Sequence, residues 1–171
     1  MGKIHWIGTG LSSIPGLRKI LIEIPDVHVW NRSKDKARNL VGDLTNNIHK
    51  FDLENLKSEL SRGDIVISML PGEWHVPIAK LCIDCLAHFV SSSYISEEMG
   101  NLHEYALENN ITLINEVGLD PGIDHLMAHF LVQDYKKSTA YDLGNEIEFL
   151  SYCGGIPKTP NEFCYKFSWS P

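Results

Sequence analysis

Two glycines separated by one residue are the first feature of this chain that suits a ligand site. Gly8 and Gly10 follow an apolar run at residues 3–7 and precede helical spacing at residues 14–23. The backbone N–H groups of such a turn can face a nucleotide diphosphate, because glycine has no Cβ in the way and the helix N-terminus favours an anion. The third small position of the usual pattern is Ser13, and a plain strand-to-helix turn is the alternative interpretation.

A basic residue lies where the choice between dinucleotides is made. Dinucleotide-binding folds commonly carry an Asp or Glu about 20 residues after the glycine turn, which accepts hydrogen bonds from the ribose 2′-hydroxyl. This chain has Asn31, Arg32 and Ser33 there. A guanidinium can bind a 2′-phosphate and stack on adenine, so the sequence predicts NADP(H) over NAD(H). A solvated arginine beside a helix cap is the alternative.

Further polar groups follow the later predicted strands. Residues 91–94 read Ser-Ser-Ser-Tyr, and residues 117–122 place Asp120 between a strand and a helix. Ligands of open α/β sheets bind at the carboxyl ends of the strands, where these groups would meet. The hydroxyls suit ribose, amide or substrate groups, and Asp120 suits the ammonium of an amino acid. Ordinary loop polarity and turn formation are the alternatives.

Three other features are better explained without reactive chemistry. Cys82 and Cys85 lie in an apolar helical segment with no second pair at zinc spacing, which favours core cysteines. His125 and His129 share a helix face but lack a third ligand, so we predict no metal site. His75 is expected to begin a helix rather than act as a general base.

The composition is that of an ordinary globular protein. The 171 residues are 43% hydrophobic and 22% charged, with a formal net charge of −7. The acidic balance argues against binding to nucleic-acid phosphates. No segment has a targeting or membrane-spanning pattern, and the four cysteines do not make a disulfide framework. We therefore expect a cytoplasmic protein that binds neither nucleic acid nor a membrane.

Short apolar runs alternate with segments of helical spacing up to residue 136. The predicted strands are residues 3–7, 27–30, 48–51, 64–69, 88–92 and 111–115. The predicted helices are residues 14–23, 34–41, 54–60, 74–87, 97–109 and 123–136. This alternation predicts parallel pairing through right-handed crossovers. The fold class is therefore α/β, a doubly wound, Rossmann-type parallel sheet in the order 3-2-1-4-5-6.

The pattern changes after residue 138. Residues 146–153 alternate between apolar and polar side chains, and a second apolar run covers residues 165–169. We predict an NADP-binding domain at residues 1–137. Residues 138–171 would be the first strands of a truncated α+β domain for substrate binding and dimerisation.

The motifs at the strand ends together resemble saccharopine dehydrogenases, in particular the N-terminal part of the NADP-dependent, L-glutamate-forming type (saccharopine reductase) of lysine metabolism. The resemblance is carried by residues 8–10, 31–33, 92–96, 115–125, 150–155 and 165–170. The blocks at residues 115–125 and 150–155 are longer and more specific than the glycine turn. Residues 71–75 depart from the family's usual aromatic run after proline, which leaves the exact substrate open.

The resemblance implies a reversible oxidoreductase reaction on a small amino-acid substrate. Glutamate condenses with 2-aminoadipate semialdehyde, and NADPH reduces the imine to saccharopine. It also implies a homodimer formed through the second domain. Family members are longer, so this chain alone is expected to bind cofactor and to turn over poorly. Two alternatives are a related amine dehydrogenase, such as carboxynorspermidine or lysine 6-dehydrogenase, and a non-catalytic nucleotide-binding module.

The resemblance also implies roles for individual residues. Tyr94 and Asp120 are the candidates for proton transfer, and saccharopine would contact Ser93, Tyr94 and Asp120, with Cys153 nearby. The cofactor would contact Gly8, Thr9, Gly10, Leu11 and Ser12 at its diphosphate, Asn31, Arg32 and Ser33 at the phosphorylated ribose, Asp52 and Leu53 at the adenine, and Ser92, Ser93, Leu119, Asp120, Pro121 and Ser170 towards the nicotinamide.

Overall fold

A computed structural model describes residues 2–152 and 154–165, in which strands and helices alternate. The strands are β1 (Ile4–Ile7), β2 (Val27–Asn31), β3 (Ile48–Lys50), β4 (Ile65–Ser68), β5 (His88–Ser91) and β6 (Leu113–Ile114). The helices are α1 (Ile14–Glu23), α2 (Lys34–Val41), α3 (Leu53–Glu59), α4 (His75–Asp84), α5 (Glu97–Gly100), α6 (His103–Glu108) and α7 (Ile123–Lys137). Two predicted ligand contacts, Cys153 and Ser170, lie outside the described residues, as does nearly all of the predicted strand at residues 165–169.

The six strands form one parallel sheet in the order β3-β2-β1-β4-β5-β6, which confirms the predicted topology. β1 lies at the centre, with Ile4 opposite Val27 of β2 and Ile65 of β4. Two clusters of buried apolar side chains include Trp6 and Leu17 in one and Trp30 and Phe89 in the other. The carboxyl ends of all six strands therefore meet at one edge of the sheet.

Side-chain caps begin three of the helices. Ser33, Asp52 and Ser96 accept hydrogen bonds from the backbone N–H three residues later, at the starts of α2, α3 and α5. Such caps satisfy N–H groups that have no partner within the helix. Ser13 occupies the N-cap position of α1, but its Oγ donates to the Gly10 carbonyl instead.

Two helices differ from their predicted extents. The predicted helix at residues 97–109 is divided into α5 and α6, because the chain turns at Asn101 and Leu102 just after Gly100. Glycine is a poor helix former, and the turn lets Leu102 reach the core. The predicted helix at residues 74–87 begins with a 3₁₀ turn, Gly72–Trp74, and ends at Asp84.

The chain divides into two compact units, Met1–Gly122 and Ile123–Pro171. The second unit begins with α7, whereas the sequence predicts a boundary between residues 137 and 138. Residues 146–152 are predicted as a strand but are not in one, because no described segment pairs with them. None of the helices in the described ranges is both long enough and apolar enough to cross a membrane.

Candidate cofactor-binding and active site

The glycine turn after β1 leaves its backbone open at one position. Gly8 has φ of +102°, and its N–H donates to the Trp30 carbonyl at 2.8 Å. A Cβ on Gly8 would lie 2.9 Å from the Met69 carbonyl oxygen, whereas a Cβ on Gly10 would meet nothing within 4 Å. Gly8 is therefore required by the fold, and the space beside Gly10 is free for a ligand to approach the backbone.

Two side chains hold this turn from beneath. The Trp6 indole N–H donates to the Gly8 carbonyl at 2.9 Å, and the Ser13 hydroxyl donates to the Gly10 carbonyl at 2.9 Å. Thr9 Oγ1 is buried and has no hydrogen-bond partner among the described residues. A buried hydroxyl without a partner costs free energy that a phosphate oxygen would recover. The turn therefore fits a diphosphate, and Trp6 is a supporting residue that the glycine motif did not indicate.

Arg32 lines a cavity of about 500 Å³ beside the turn. The ring of Phe51 meets the ring of Trp74 edge to face, with centroids 5.6 Å apart. Apolar walls with a guanidinium at the rim suit an adenine carrying a 2′-phosphorylated ribose. The remaining lining residues are Asp52, Leu53, Glu54, Leu70, Pro71 and Glu73.

Sequence reasoning expected Arg32, Asp52 and Leu53 beside the adenosine, and did not assign the residues after β4 to the same wall. Asn31 and Ser33 shape the turn that carries Arg32. The Asn31 side-chain amide donates to the Ser33 carbonyl at 2.9 Å, and Ser33 Oγ accepts from the Lys36 N–H. Asp52 Oδ1 likewise accepts from the Asn55 N–H at 2.8 Å.

The two predicted proton-transfer residues lie in direct contact. The Tyr94 hydroxyl donates to Asp120 Oδ1 at 2.5 Å. Their loops are joined by backbone hydrogen bonds from Glu116 N–H to the Ser93 carbonyl and from Val117 N–H to the Ser91 carbonyl, both 3.1 Å long. A phenol and a carboxylate in contact at the strand ends can pass a proton to and from a bound amine.

The other predicted contacts differ in their accessibility. Leu11 and Leu119 are exposed, as is Ser12, while Pro121 is buried. Ser92 is half-buried, and its Cβ would lie 3.2 Å from a Cβ on Gly118.

His75 has a larger role than its predicted position at the start of a helix. It begins α4, as predicted, but its ring is buried between two hydroxyls. Nδ1 lies 3.1 Å from Ser68 Oγ, and Nε2 lies 2.8 Å from Ser93 Oγ. Burial holds the pKa of His75 below its usual value. The sequence around His75 indicates only a helix start, because Ser93 lies 18 residues farther along the chain.

Cys82, Cys85 and the paired histidines lie in different surroundings. Cys82 is buried in the core, where desolvation raises the pKa of its thiol, and Cys85 is a free, half-buried thiol. His125 and His129 are exposed on α7. Among the residues described, no group of three or more His, Cys, Asp or Glu side chains could hold a metal ion.

Comparison with known proteins identifies one family along nearly the whole chain. Residues 4–114 match the family model described as the saccharopine dehydrogenase NADP binding domain, and residues 118–171 match the saccharopine dehydrogenase C-terminal domain. Saccharopine dehydrogenase [NADP(+), L-glutamate-forming] of Pyricularia oryzae is 34% identical over 172 residues, which cover 96% of this chain and 37% of that protein. Alpha-aminoadipic semialdehyde synthase of Arabidopsis thaliana is 43% identical over 125 residues, covering 70% of this chain and 11% of that protein.

A solved structure extends the likeness to the fold. Apo saccharopine dehydrogenase (L-Glu forming) from Saccharomyces cerevisiae superposes with a TM-score of 0.80 at 32% identity, covering 99% of this chain and 39% of that chain. This chain thus spans less than two fifths of the length of each of these three relatives. The chain belongs to the saccharopine dehydrogenase family, and it carries that family's NADP(H)-binding domain.

Proposed function

We propose that this chain is the NADP(H)-binding part of an enzyme that interconverts saccharopine with glutamate and 2-aminoadipate semialdehyde. The observation that carries the proposal is the pairing of an open diphosphate turn at Gly10 with an Arg32-lined cavity next to it. A carboxylate at the position of Arg32 would repel a 2′-phosphate, whereas the guanidinium attracts it. The relatives reported above favour saccharopine over the related amines as the substrate.

The cofactor would lie across the sheet from β3 to β5. In a doubly wound sheet a dinucleotide binds where the strand order reverses, with its adenosine half on the β1–β2 side. Thr9 to Ser12 would then hold the diphosphate, and Arg32 the 2′-phosphate. The nicotinamide would lie towards Ser92, Ser93, Leu119, Asp120 and Pro121. When bound, NADPH supplies the hydride that reduces the imine carbon.

Tyr94 and Asp120 would manage the protons at the substrate nitrogen. Their contact lets the carboxylate accept a hydrogen bond from the phenol, and the phenol oxygen can in turn accept one from an ammonium. Imine formation needs a proton removed from the glutamate ammonium and another delivered to the departing hydroxyl. Positioning the amine and the aldehyde together contributes as well, because hydride transfer depends on orientation.

The experiment that tests the cofactor assignment compares NADPH and NADH binding before and after Arg32→Asp. We expect the wild-type chain to bind NADPH more tightly than NADH, and the substitution to weaken NADPH at least about tenfold, since a charge-assisted bond becomes a repulsion. Nicotinamide fluorescence titration measures both constants. Arg62→Asp is the matched control, because Arg62 is exposed just before the amino end of β4, at the opposite edge of the sheet. Equal NADPH affinity in the wild type and Arg32→Asp would overturn the assignment.

The assembly, location and domain boundary of the protein are further parts of this proposal. They include a homodimer through the second domain, a cytoplasmic location, and a domain boundary between residues 137 and 138. Saccharopine, carboxynorspermidine and lysine, offered in turn to the full-length protein with NADP⁺, distinguish the substrate alternatives. Reduction of NADP⁺ with saccharopine alone is the expected result. NADPH binding without any turnover would favour the non-catalytic module.

A further inference from the structure

We propose that His75 is a positioning residue, which fixes the hydroxyl of Ser93 in one orientation for the nicotinamide half of the bound cofactor. The inference rests on the proposed function, because it takes the β4–β5 side of the crevice as the nicotinamide side. It adds a residue that the sequence motifs did not assign to the site.

The imidazole joins the ends of two neighbouring strands. Ser68 is the last residue of β4, and Ser93 follows β5 by two residues. Each ring nitrogen of His75 lies within hydrogen-bonding distance of one hydroxyl: Nδ1 is 3.1 Å from Ser68 Oγ, and Nε2 is 2.8 Å from Ser93 Oγ. The edge-to-face ring of Phe89, with its centroid 6.1 Å away, packs against the imidazole. The ring is thus held at three points and has little freedom to rotate.

The charge state of His75 makes the two hydroxyls unequal. Burial lowers its pKa and outweighs the opposing effect of Glu73, so the ring is neutral near pH 7. A neutral imidazole has one N–H donor and one bare nitrogen acceptor. Ser68 and Ser93 therefore take opposite roles towards the ring. In the tautomer that carries its hydrogen on Nδ1, Nε2 accepts the hydroxyl hydrogen of Ser93, and the open side of that hydroxyl then offers only acceptor lone pairs.

The Ser93 backbone is fixed independently of the imidazole. Its carbonyl accepts from the Glu116 N–H at 3.1 Å, and its own N–H points to Ser91 Oγ at 3.4 Å. Ser91 Oγ in turn donates to Asn115 Oδ1 at 2.9 Å. Loss of the His75 contact would therefore release the hydroxyl rotor of Ser93 while the loop stays in place. This separation makes the role of His75 testable.

The test uses two variants of different reach and two ligands. In His75→Asn the amide sits near the place of Nδ1, on the Ser68 side, and falls short of Ser93. In His75→Gln the amide is one methylene farther out and can occupy the place of Nε2. The ligands are NADPH and 2′-phosphoadenosine 5′-diphosphoribose, which keeps the adenosine and diphosphate but lacks the nicotinamide. Calorimetric titration of the 171-residue chain gives both dissociation constants.

We expect His75→Asn to weaken NADPH about three- to tenfold, which is the usual effect of one lost hydrogen bond. The dissociation constant of the nicotinamide-free ligand should differ by less than about twofold between His75→Asn and the wild type. His75→Gln should restore most of the NADPH affinity. Ser93→Ala should weaken NADPH binding as much as His75→Asn does. The double variant should weaken it no more than either single variant, because the effects of coupled residues do not add.

The contrary outcomes have different meanings. Equal weakening of both ligands by His75→Asn would show that His75 only maintains the fold, and unchanged NADPH binding would show that Ser93 does not depend on it. Either result overturns the positioning role and leaves the proposed function intact. A wild-type chain that binds neither ligand would overturn both.

Discussion

Gly8 and Gly10 belong to one turn but are needed for different reasons, Gly8 for the fold and Gly10 for ligand access. A side chain on Gly8 would strain a backbone at φ +102° and approach the Met69 carbonyl, so Gly8→Ala should cost about 1–3 kcal/mol of stability. A side chain on Gly10 has free space around it, so Gly10→Ala should leave the melting temperature unchanged and weaken NADPH about tenfold or more. Thermal denaturation and NADPH titration of both variants measure the contrast. Unchanged NADPH affinity in Gly10→Ala would place the diphosphate elsewhere.

Removing the Tyr94 hydroxyl tests the proton-transfer pair. We expect Tyr94→Phe to lower kcat for saccharopine oxidation roughly a hundredfold in the full-length protein, since a general acid–base group contributes at least that much. Its NADPH affinity should change less than about twofold. The matched control is Tyr105→Phe, which removes another exposed tyrosine hydroxyl bonded to a carboxylate, Asp84, at 2.7 Å. Full activity in Tyr94→Phe would contradict the role, as would an equal loss in the control.

Residue types at the strand ends revealed part of the site and left out the rest. Arg32 stood out because Asn31 takes the place of the usual acid and a cation follows it directly. The strand order predicted that Tyr94 and Asp120 would lie at the same edge of the sheet, but not the direct hydrogen bond between these residues, which are 26 positions apart. Trp6 and His75 act through contacts with a carbonyl and with hydroxyls, and their own sequence neighbourhoods resemble core and helix-start patterns.

At the scale of elements, three histidines form a row across neighbouring strands of the sheet. The row consists of His5 in β1, His28 in β2 and His49 in β3. His5 Nδ1 accepts from the Trp30 indole at 3.1 Å, so its Nε2 carries the hydrogen towards Asp64 at 3.2 Å. His28 Nδ1 lies 3.0 Å from His49 Nε2. A proton added to either partner of that last pair leaves the other as the only acceptor, and two added protons remove the bond.

The histidine row predicts a loss of stability in mild acid. Burial is the main cause that lowers the pKa of both His5 and His49. A histidine with a lower pKa in the folded chain binds its proton more readily once the chain unfolds, so stability falls as the pH drops below about 6.5. We expect the melting temperature to decrease from pH 7.5 to pH 5.5, and less so in His49→Gln. His103→Gln, at an exposed position on α6, is the control. An equally steep decrease in His49→Gln would rule out this histidine as a source.

The alternation of apolar runs was sufficient to predict the sheet, because each strand is a short run rich in apolar residues that ends at a Gly, Pro or polar cluster. It also predicted the bounds of α2 at residues 34–41. It was wrong about residues 146–152 because alternation indicates a surface that could pair and not the presence of a partner strand. The division of helix 97–109 was missed because the periodicity continues across the turn at Asn101.

For the whole molecule, the buried apolar core belongs to the first compact unit. Apart from Pro121, all buried hydrophobic side chains among the described residues lie between Ile4 and Ile111. By contrast, α7 has no buried residue, and its Leu126, Met127 and Phe130 are 71%, 60% and 70% exposed.

This distribution predicts that residues 1–122 fold without the remainder. A chain ending at Gly122 should melt cooperatively within a few degrees of the 171-residue chain and should still bind NADPH, because the core and the glycine turn are both retained. Residues 123–171 alone should show little helix by circular dichroism, since so short a segment buries no core of its own. A non-cooperative transition in the chain of residues 1–122 would contradict this expectation.

The close approach of the Met69 carbonyl to Gly8 has a consequence for how the chain can vary. The backbone of Met69 lies against the diphosphate turn, with its N–H bonded to the Ile7 carbonyl, and leads directly into Leu70 and Pro71, which wall the cavity beside Arg32. Lengthening the chain by one residue between Ser68 and Pro71 would therefore disturb the diphosphate turn and the cavity beside Arg32 at once. Homologous enzymes should accept insertions in other crossovers and keep this one at constant length.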